Sequence, residues 1–389
     1  MKLPGDTRVA EAFSANPSTA QAVREVASRV AESLGGNPDL AVVFFTPSHS
    51  EGAHLIREGI HRQLGEIDAL IGCSSNRLIG GGAEHEIGPG LSLWAARLPG
   101  TLVQAFDLKL TPGEEQRYVR GWPDVGPEAS VVLLADPGSF PTDSFLTSLR
   151  EGGKYPTLIG GLITAPPTPC LLANEVIKNS GAVGFVMAGA MRMEPVISQG
   201  CRPIGPTFRI TRCVDNVVLE LDGESAYDRL ETLVETLPEA ESIRFRKSPH
   251  VGLCMNENAP DGGSNFLVRA IMGLEPGQGA VAVPEEVEMG QMLQFHARDG
   301  VEAHQDFESL LGMTSGYFTE PAGALLFDCM GRGPSLFGRR DHDIELVHQH
   351  WPNLPVSGFH ASGEIGPLGG APFVHRFTAS MGLLVPDES

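Results

Sequence analysis

The chain has 389 residues, enough for two or three domains, and 41% hydrophobic content, enough for a sizeable core that 6% aromatics leave mostly aliphatic. With 48 acidic against 28 basic residues, the formal net charge of −20 sets aside nucleic acid and anionic membrane as partners, since both need a positive surface. No apolar run is long enough to span a bilayer. The six scattered cysteines, without a CxxC pair, read as reduced thiols of a soluble cytoplasmic protein. The opening "MKLPGDTRVAEAF" lacks the apolar run of a secretory signal, in keeping with that placement.

In chain order, "NPSTAQAVREVASRVAESLGG" puts Val23, Val26, Val30 and Leu34 on one helical face and stops at Gly35-Gly36. "LAVVFFT" reads as a strand, followed by a helix through Leu55, Ile56 and Ile60, then a strand at "ALIGCSS". "GLSLWAARL" and "TLVQAFDL", joined by Pro99-Gly100, are expected to form a β-hairpin. "SVVLLAD", a helix around 142–152, "TLIGGLI", "AVGFVMAG", "FRITRC" and "VVLELD" follow, with more strands than helices.

The texture shifts near residue 217, where a domain boundary is expected. A helix carrying Leu230, Leu233 and Leu237 precedes the polar stretch "PEAESIRFRKSPH". "FLVRAIM", "GAVAVP", "MLQFHA", a helix over 299–312, "GALLFDCM", a helix over 339–350 and strands from 355 complete the chain. The expected fold is α+β and two-lobed: large mixed or antiparallel sheets flanked by helices, a layered αββα-like sandwich with pseudo-symmetric halves. Three stretches echo one another, "LIGCSSNRLIGGG", "TLIGGLITA" and "VSGFHASGEIGPLGG", each a strand running into a small-residue turn. Those turns are expected to meet at one place.

No GxxxxGK[ST] or GxSxG motif occurs, and the G-x-G-x-x-A at Gly277, Gly279 and Ala282 leads into a β-like run instead of opening a helix. "DCMGRGPSLFG" places Arg332 between Gly331 and Gly333, a seat for a carboxylate or phosphate because guanidinium offers a planar fork of donors. Cys329, at the end of an apolar run, reads as a core thiol before a reactive one. In "GFHASGEIGPLGG", His360, Ser362, Gly363 and Glu364 stand among glycines, with Glu364 an acceptor for amides or a ligand amine. His360, Glu364 and His375 have the chemistry of a metal site. Gly363, Gly366 and Pro367 forbid the helix such spacing suits, so neither metal nor cofactor is expected. Ser74 and Ser75 follow Gly72-Cys73 without a sequence-local base, and the histidines of "RRDHDIELVHQHW" read as a solvated face.

"GCRPIGPTFRITRCVDNVVLELDGESA", "GALLFDCMGRGPSLFG", "GFHASGEIGPLGG" and "FVHRFTAS" together resemble the FIST (F-box and intracellular signal transduction) family over about residue 38 to the end. The resemblance implies a FIST N-terminal domain and a FIST C-terminal domain, expected at 38–217 and 218–389 and preceded by the N-terminal helical segment at 1–37. It also implies a non-catalytic sensor of a small-molecule ligand such as an amino acid, with its signalling output in a protein partner. One departure stands out: where the family's first-half turn often carries an acid, this chain either replaces it with Arg77 or carries it downstream at Glu84.

The expected ligand site gathers Cys329, Gly331, Arg332, Gly333, His360, Ser362, Gly363, Glu364, Ser74, Ser75 and His375, with Arg332 clamping a ligand carboxylate and Glu364 an amine or hydroxyl. Two alternatives stay open. One is a hydrolase or lyase using Cys329 or His360 with Glu364; the other is a scaffold binding protein through the acidic surface.

Overall fold

In the computed structural model, residues 3–112, 117–165, 168–255 and 266–387 are described. They form two compact units: Met1–Ser198 with Phe307–Val374 and Thr378–Ser389, and Gln199–Asp306 with His375–Phe377. Among the described residues, no helix is long and apolar enough to cross a membrane.

The first unit repeats one arrangement three times. Two parallel strands flank a helix: Leu40–Phe45, Ala53–Leu64 and Ala69–Ser74; then Ser130–Ala135, Thr142–Glu151 and Thr157–Leu162; then Gly323–Cys329, His342–His350 and Val356–Ala361. A further strand runs antiparallel beside the first of each pair, namely Leu91–Arg97, Ala182–Gly189 and Thr378–Pro386. The hairpin after each second strand leaves its own layer. Hairpin 78–85 pairs with Val356–Ala361, 171–178 with Ala69–Ser74, and 364–375 with Thr157–Leu162. The three layers are thereby stitched in a ring.

Parallel strands covered on both faces are mostly apolar, which is why these segments read as apolar runs, with Asp328 in Gly323–Cys329 and Ser357 and His360 in Val356–Ala361 as exceptions. Their inner faces share one core, with Val42, Phe44 and Ile71 from the first layer, Val132, Ile159 and Phe185 from the second, and Leu325, Phe327 and Phe359 from the third. Outer faces are covered by helices: Thr19–Leu34 and Ala53–Leu64 on the first, Phe145 and Leu146 on the second, and Phe307, Ile344 and Val347 on the third. Val23, Val26, Val30 and Leu34 are buried as the spacing predicts, and Gly35 ends that helix in the left-handed region.

The echo in the sequence is the second parallel strand of each layer. Its glycine has one physical cause. A Cβ at Gly72 would lie 2.4 Å from the Val43 carbonyl oxygen, at Gly160 2.0 Å from that of Leu133, and at Gly358 1.7 Å from that of Leu326. Each glycine faces a large aliphatic residue from the incoming hairpin: Leu172, Ile365 and Ile79 respectively.

Two expectations fail. Leu91–Arg97 and Thr101–Pro112 are not a hairpin: the first pairs with Arg8–Ser14 and Leu40–Phe45, the second with Ala182–Gly189 and Arg117–Arg120. The Pro99-Gly100 turn, closed by Thr101 N–H to Leu98 C=O at 3.0 Å, instead hands the chain from one sheet to the next. Leu55 is 39% exposed; Ile56, Ile60 and Leu64 carry the buried face.

The second unit is an antiparallel sheet running Phe266–Ala270, Pro249–Cys254, Met292–Arg298, Cys201–Val214, Val217–Leu221, Ala280–Ala282, Gly273–Glu275. Helices Ala226–Thr236 and Glu239–Lys247 supply Leu230, Val234 and Phe245 to its core. The second of them occupies the polar stretch after Leu237. Gly277 and Gly279 lie in the turn of hairpin 273–282, not at a nucleotide-binding helix.

Candidate functional site

With the three layers superposed on their close-approach glycines, the residues two positions on are Ser74, Leu162 and His360. Their register partners on the first strands are Phe45, Ala135 and Asp328. The scaffold is shared and the polarity is not: only the third layer puts an acid and an imidazole side by side under its helix. Hairpin 78–85 adds Glu84 at the place where the first layer has Ile177, both being partners of the residue that faces the glycine. The carboxyl ends of parallel strands are where open α/β sheets bind ligands.

Asp328, Arg332, His360 and Glu364 are fully buried there; Asp343 is 1% and Glu84 6% exposed. Arg332 grips Asp343 in a bidentate pair, Nε to Oδ2 at 2.6 Å and Nη2 to Oδ1 at 2.9 Å. His342 Nδ1 lies 2.9 Å from the same Oδ1, and its ring stacks on Phe337. Glu84 Oε1 accepts the amides of Asp343 and Ile344 at the start of helix His342–His350, a placement the positive N-terminus of a helix favours. Its other oxygen lies 3.8 Å from His360 Nε2.

Among the described residues, Arg332 Nη1 and both carboxylate oxygens of Asp328 make no hydrogen bond, and the ring nitrogens of His360 have no partner beyond a contact with the Cys329 backbone. Burial, reinforced by Asp343, pushes the Asp328 carboxyl well above its usual range and Glu84 up to about 7. Burial would raise Asp343 too, but the Arg332 guanidinium outweighs it and holds that carboxyl well below normal. Burial lowers His360 to about 4, so its imidazole is neutral at pH 7. The cluster at neutral pH is one fixed ion pair beside a neutral imidazole and a raised Asp328 carboxyl, with Glu84 near its titration point.

The three small-residue turns do meet. Ser75 Oγ bonds Thr164 Oγ1 at 2.6 Å, and Thr164 Oγ1 donates to the His360 carbonyl at 3.1 Å. Ser362 Oγ donates to the Leu162 and Ile163 carbonyls, and Ser74 Oγ accepts the Cys170 amide. Gly331 N–H approaches Cys329 Sγ at 3.5 Å, and Gly333, at φ 125°, leads into helix Pro334–Phe337. Cys329 is half-buried on the inward side of the strand.

Arg332 and Glu364 are not partners of each other. Asp343 takes the guanidinium, while Glu364 Oε2 accepts the Thr378 amide at 3.1 Å. Gly363 packs so tightly that a Cβ would lie 2.9 Å from Leu162 and Val374. His375 belongs to the second unit. Three open clefts, of about 750, 430 and 430 Å³, have other linings.

Sequence reasoning missed Asp328, His342 and Asp343 as site residues. The expected solvated face of helix His342–His350 is corrected at its start, where His342 and Asp343 are 3% and 1% exposed because Arg332 draws them inward. One signal was readable: an aspartate inside the apolar run "GALLFDCM", where a buried strand has no use for a charge.

A family profile described as FIST N domain matches residues 39–224, and one described as FIST C domain matches 226–367. The uncharacterized protein Rv0628c of Mycobacterium tuberculosis is 32% identical over 385 residues, covering 97% of this chain and 100% of its own length. The uncharacterized protein Mb0898c of Mycobacterium bovis is 30% identical over 387 residues, covering 98% and 99% respectively. FIST domains are sensory domains of signal transduction. With both domain profiles matched in tandem and relatives aligned end to end, this chain belongs to the FIST family.

Proposed function

We propose that the chain is a non-catalytic sensor of a compact polar metabolite, such as an amino acid, whose binding site lies at the carboxyl ends of the third layer's parallel strands. One observation carries this. Asp328 and His360 replace the Phe45–Ser74 and Ala135–Leu162 pairs of the other layers, with bare polar atoms in a buried position. Buried polar groups without partners cost about 1–3 kcal/mol each, a cost a ligand's own donors and acceptors offset. Arg332 Nη1 is the group for a ligand carboxylate. The Ser74-Ser75 turn, the Ser362-Gly363-Glu364 turn and the Gly331 and Gly333 amides form the surrounding wall. Phe337, in segment 330–341, lies over the Arg332 guanidinium and stacks on His342; that segment is the part that moves on ligand entry, and a signalling partner reads that movement.

The test is calorimetry and thermal shift against a panel of amino acids and related carboxylates, repeated with His360→Gln. A hit that the variant weakens at least about tenfold supports the sensor, that factor corresponding to one good buried hydrogen bond. An empty panel, or hits indifferent to His360→Gln, sinks it.

A further inference from the structure

We propose that the third layer holds a divalent transition-metal ion between the carboxylates of Glu84, Asp328 and Asp343 and the Nε2 atom of His360. Each carboxylate offers one oxygen, and the three lie within 4.8 Å of one another. Donors on one ion, at about 2.1 Å from it, stand at most about 4.2 Å apart, so shifts of a few tenths of an ångström bring the three carboxylate oxygens into range, while His360, outside that trio and 3.8 Å from Glu84 Oε2, turns further to join them.

Close acids alone would not make a site. The independent observation is His360: fully buried, with Nε2 turned to within 3.8 Å of Glu84 Oε2 and, among the described residues, no hydrogen-bond partner for its ring nitrogens beyond a contact with the Cys329 backbone. Neutral imidazole is the commonest metal ligand, and coordination is one of few ways to satisfy it away from water. Both oxygens of Asp328 are likewise without hydrogen bonds.

The surroundings are those of a supported site. Arg332 Nε and Nη2, with His342 Nδ1, fix Asp343. The amides of Asp343 and Ile344 occupy Glu84 Oε1 and leave Oε2 for the ion. Once deprotonated as ligands, three carboxylates against one guanidinium sum to −2, which a divalent cation neutralises in an interior where net charge is costly. Three oxygens and one nitrogen suit Mn²⁺, Fe²⁺ or Zn²⁺; Ca²⁺ asks for about six to eight oxygens.

This set differs from the sequence-suggested trio of His360, Glu364 and His375. Glu364 holds the Thr378 amide, and His375 lies in the second unit. The ion draws on the same bare atoms of Asp328 and His360 as the metabolite site and leaves Arg332 Nη1 to the metabolite; its test uses metal alone, so a failed metabolite panel and a failed metal titration are separate results.

The full chain, stripped with chelator and dialysed, is titrated with MnCl2 by calorimetry, and bound Mn²⁺ is followed by electron paramagnetic resonance. Expected are one ion per chain, a thermal midpoint raised by several degrees at about 1 mM MnCl2 but not CaCl2, and nitrogen coupling from one imidazole. Asp328→Asn and His360→Gln each weaken Mn²⁺ at least about tenfold. Asp328→Asn removes no hydrogen bond, so the stripped variant keeps the wild-type circular dichroism spectrum. No saturable Mn²⁺ or Zn²⁺ binding by the folded, stripped chain up to about 1 mM overturns the site. So does equal affinity in both variants, or Mn²⁺ bound without nitrogen coupling, a readout that needs no variant.

Discussion

A guanidinium with no exposed surface survives in this protein because Asp343 meets it with two bonds. Removing one partner strands the other, which is far worse than removing both. Arg332→Ala therefore destabilises by about 3–5 kcal/mol in urea denaturation, whereas Arg332→Met with Asp343→Leu recovers most of that loss. If the double variant is as unstable as the single one, the pair is not an isolated charge problem. Glu11 gives a second measurable consequence. Burial raises its carboxyl from 4.5 to about 7, despite bonds from the Gly81 amide and Ser92 Oγ. Between those two values the folded chain binds more protons than the unfolded one, so stability falls as pH rises through the window and levels off above it. Glu11→Gln flattens that slope by at most about 3 kcal/mol, read as thermal midpoints at pH 5 and pH 8. Glu84 contributes a slope of the same sign, so part of the pH dependence persists. At this scale the sequence pointed to Arg332 and His360 through their glycine neighbours. It could not show that Asp343, eleven residues on, is the partner, since helix periodicity says nothing about a residue pulled inward at a helix start.

At the scale of elements, apolar runs announced most parallel strands of the first unit, because a strand covered on both faces has few polar positions to blur its outline; Val356–Ala361, with Ser357 and His360, is the exception. Partner choice was not legible. Tight turns at Pro99-Gly100 and after each second strand look alike in sequence, yet they carry the chain into a different sheet each time. The glycines at these strands are the local signature of the repeat, and their cost can be read directly. Gly358→Ala sets a methyl 1.7 Å from the Leu326 carbonyl oxygen, a backbone atom that cannot step aside. The expected loss is about 3 kcal/mol or more, by chemical denaturation. Gly316→Ala, in helix Gly300–Tyr317 with nothing within 4 Å of the new methyl, raises stability by about 0.5–1 kcal/mol. Equal effects at the two positions would mean that the close approach at Gly358 is not real.

Across the whole molecule, the linear order of two family domains and the spatial order of the fold do not coincide. The FIST N match ends at 224, but its hairpin 78–85 is paired with Val356–Ala361, and its strand Thr157–Leu162 with Glu364–Leu368. A cut at 224, or near 217, also passes through the antiparallel sheet in which Cys201–Val214 pairs with Met292–Arg298. A fragment of residues 39–224 would therefore expose strand edges and the apolar surfaces that Leu325, Phe327 and Phe359 cover in the complete core. Such edges template aggregation, and half a core cannot offset the entropy of ordering the chain. Expressed alone, this fragment is expected to be insoluble, or to lack near-ultraviolet circular dichroism and dispersed amide resonances. Co-expression of residues 1–224 with residues 225–389 restores a soluble complex, because strand Arg8–Ser14, helix Thr19–Leu34 and the C-terminal strands then return to their partners. A 39–224 fragment that is monomeric, with a well-dispersed spectrum, would mean that the stitched hairpins are dispensable and that the site on the third layer was added to a domain already able to stand by itself.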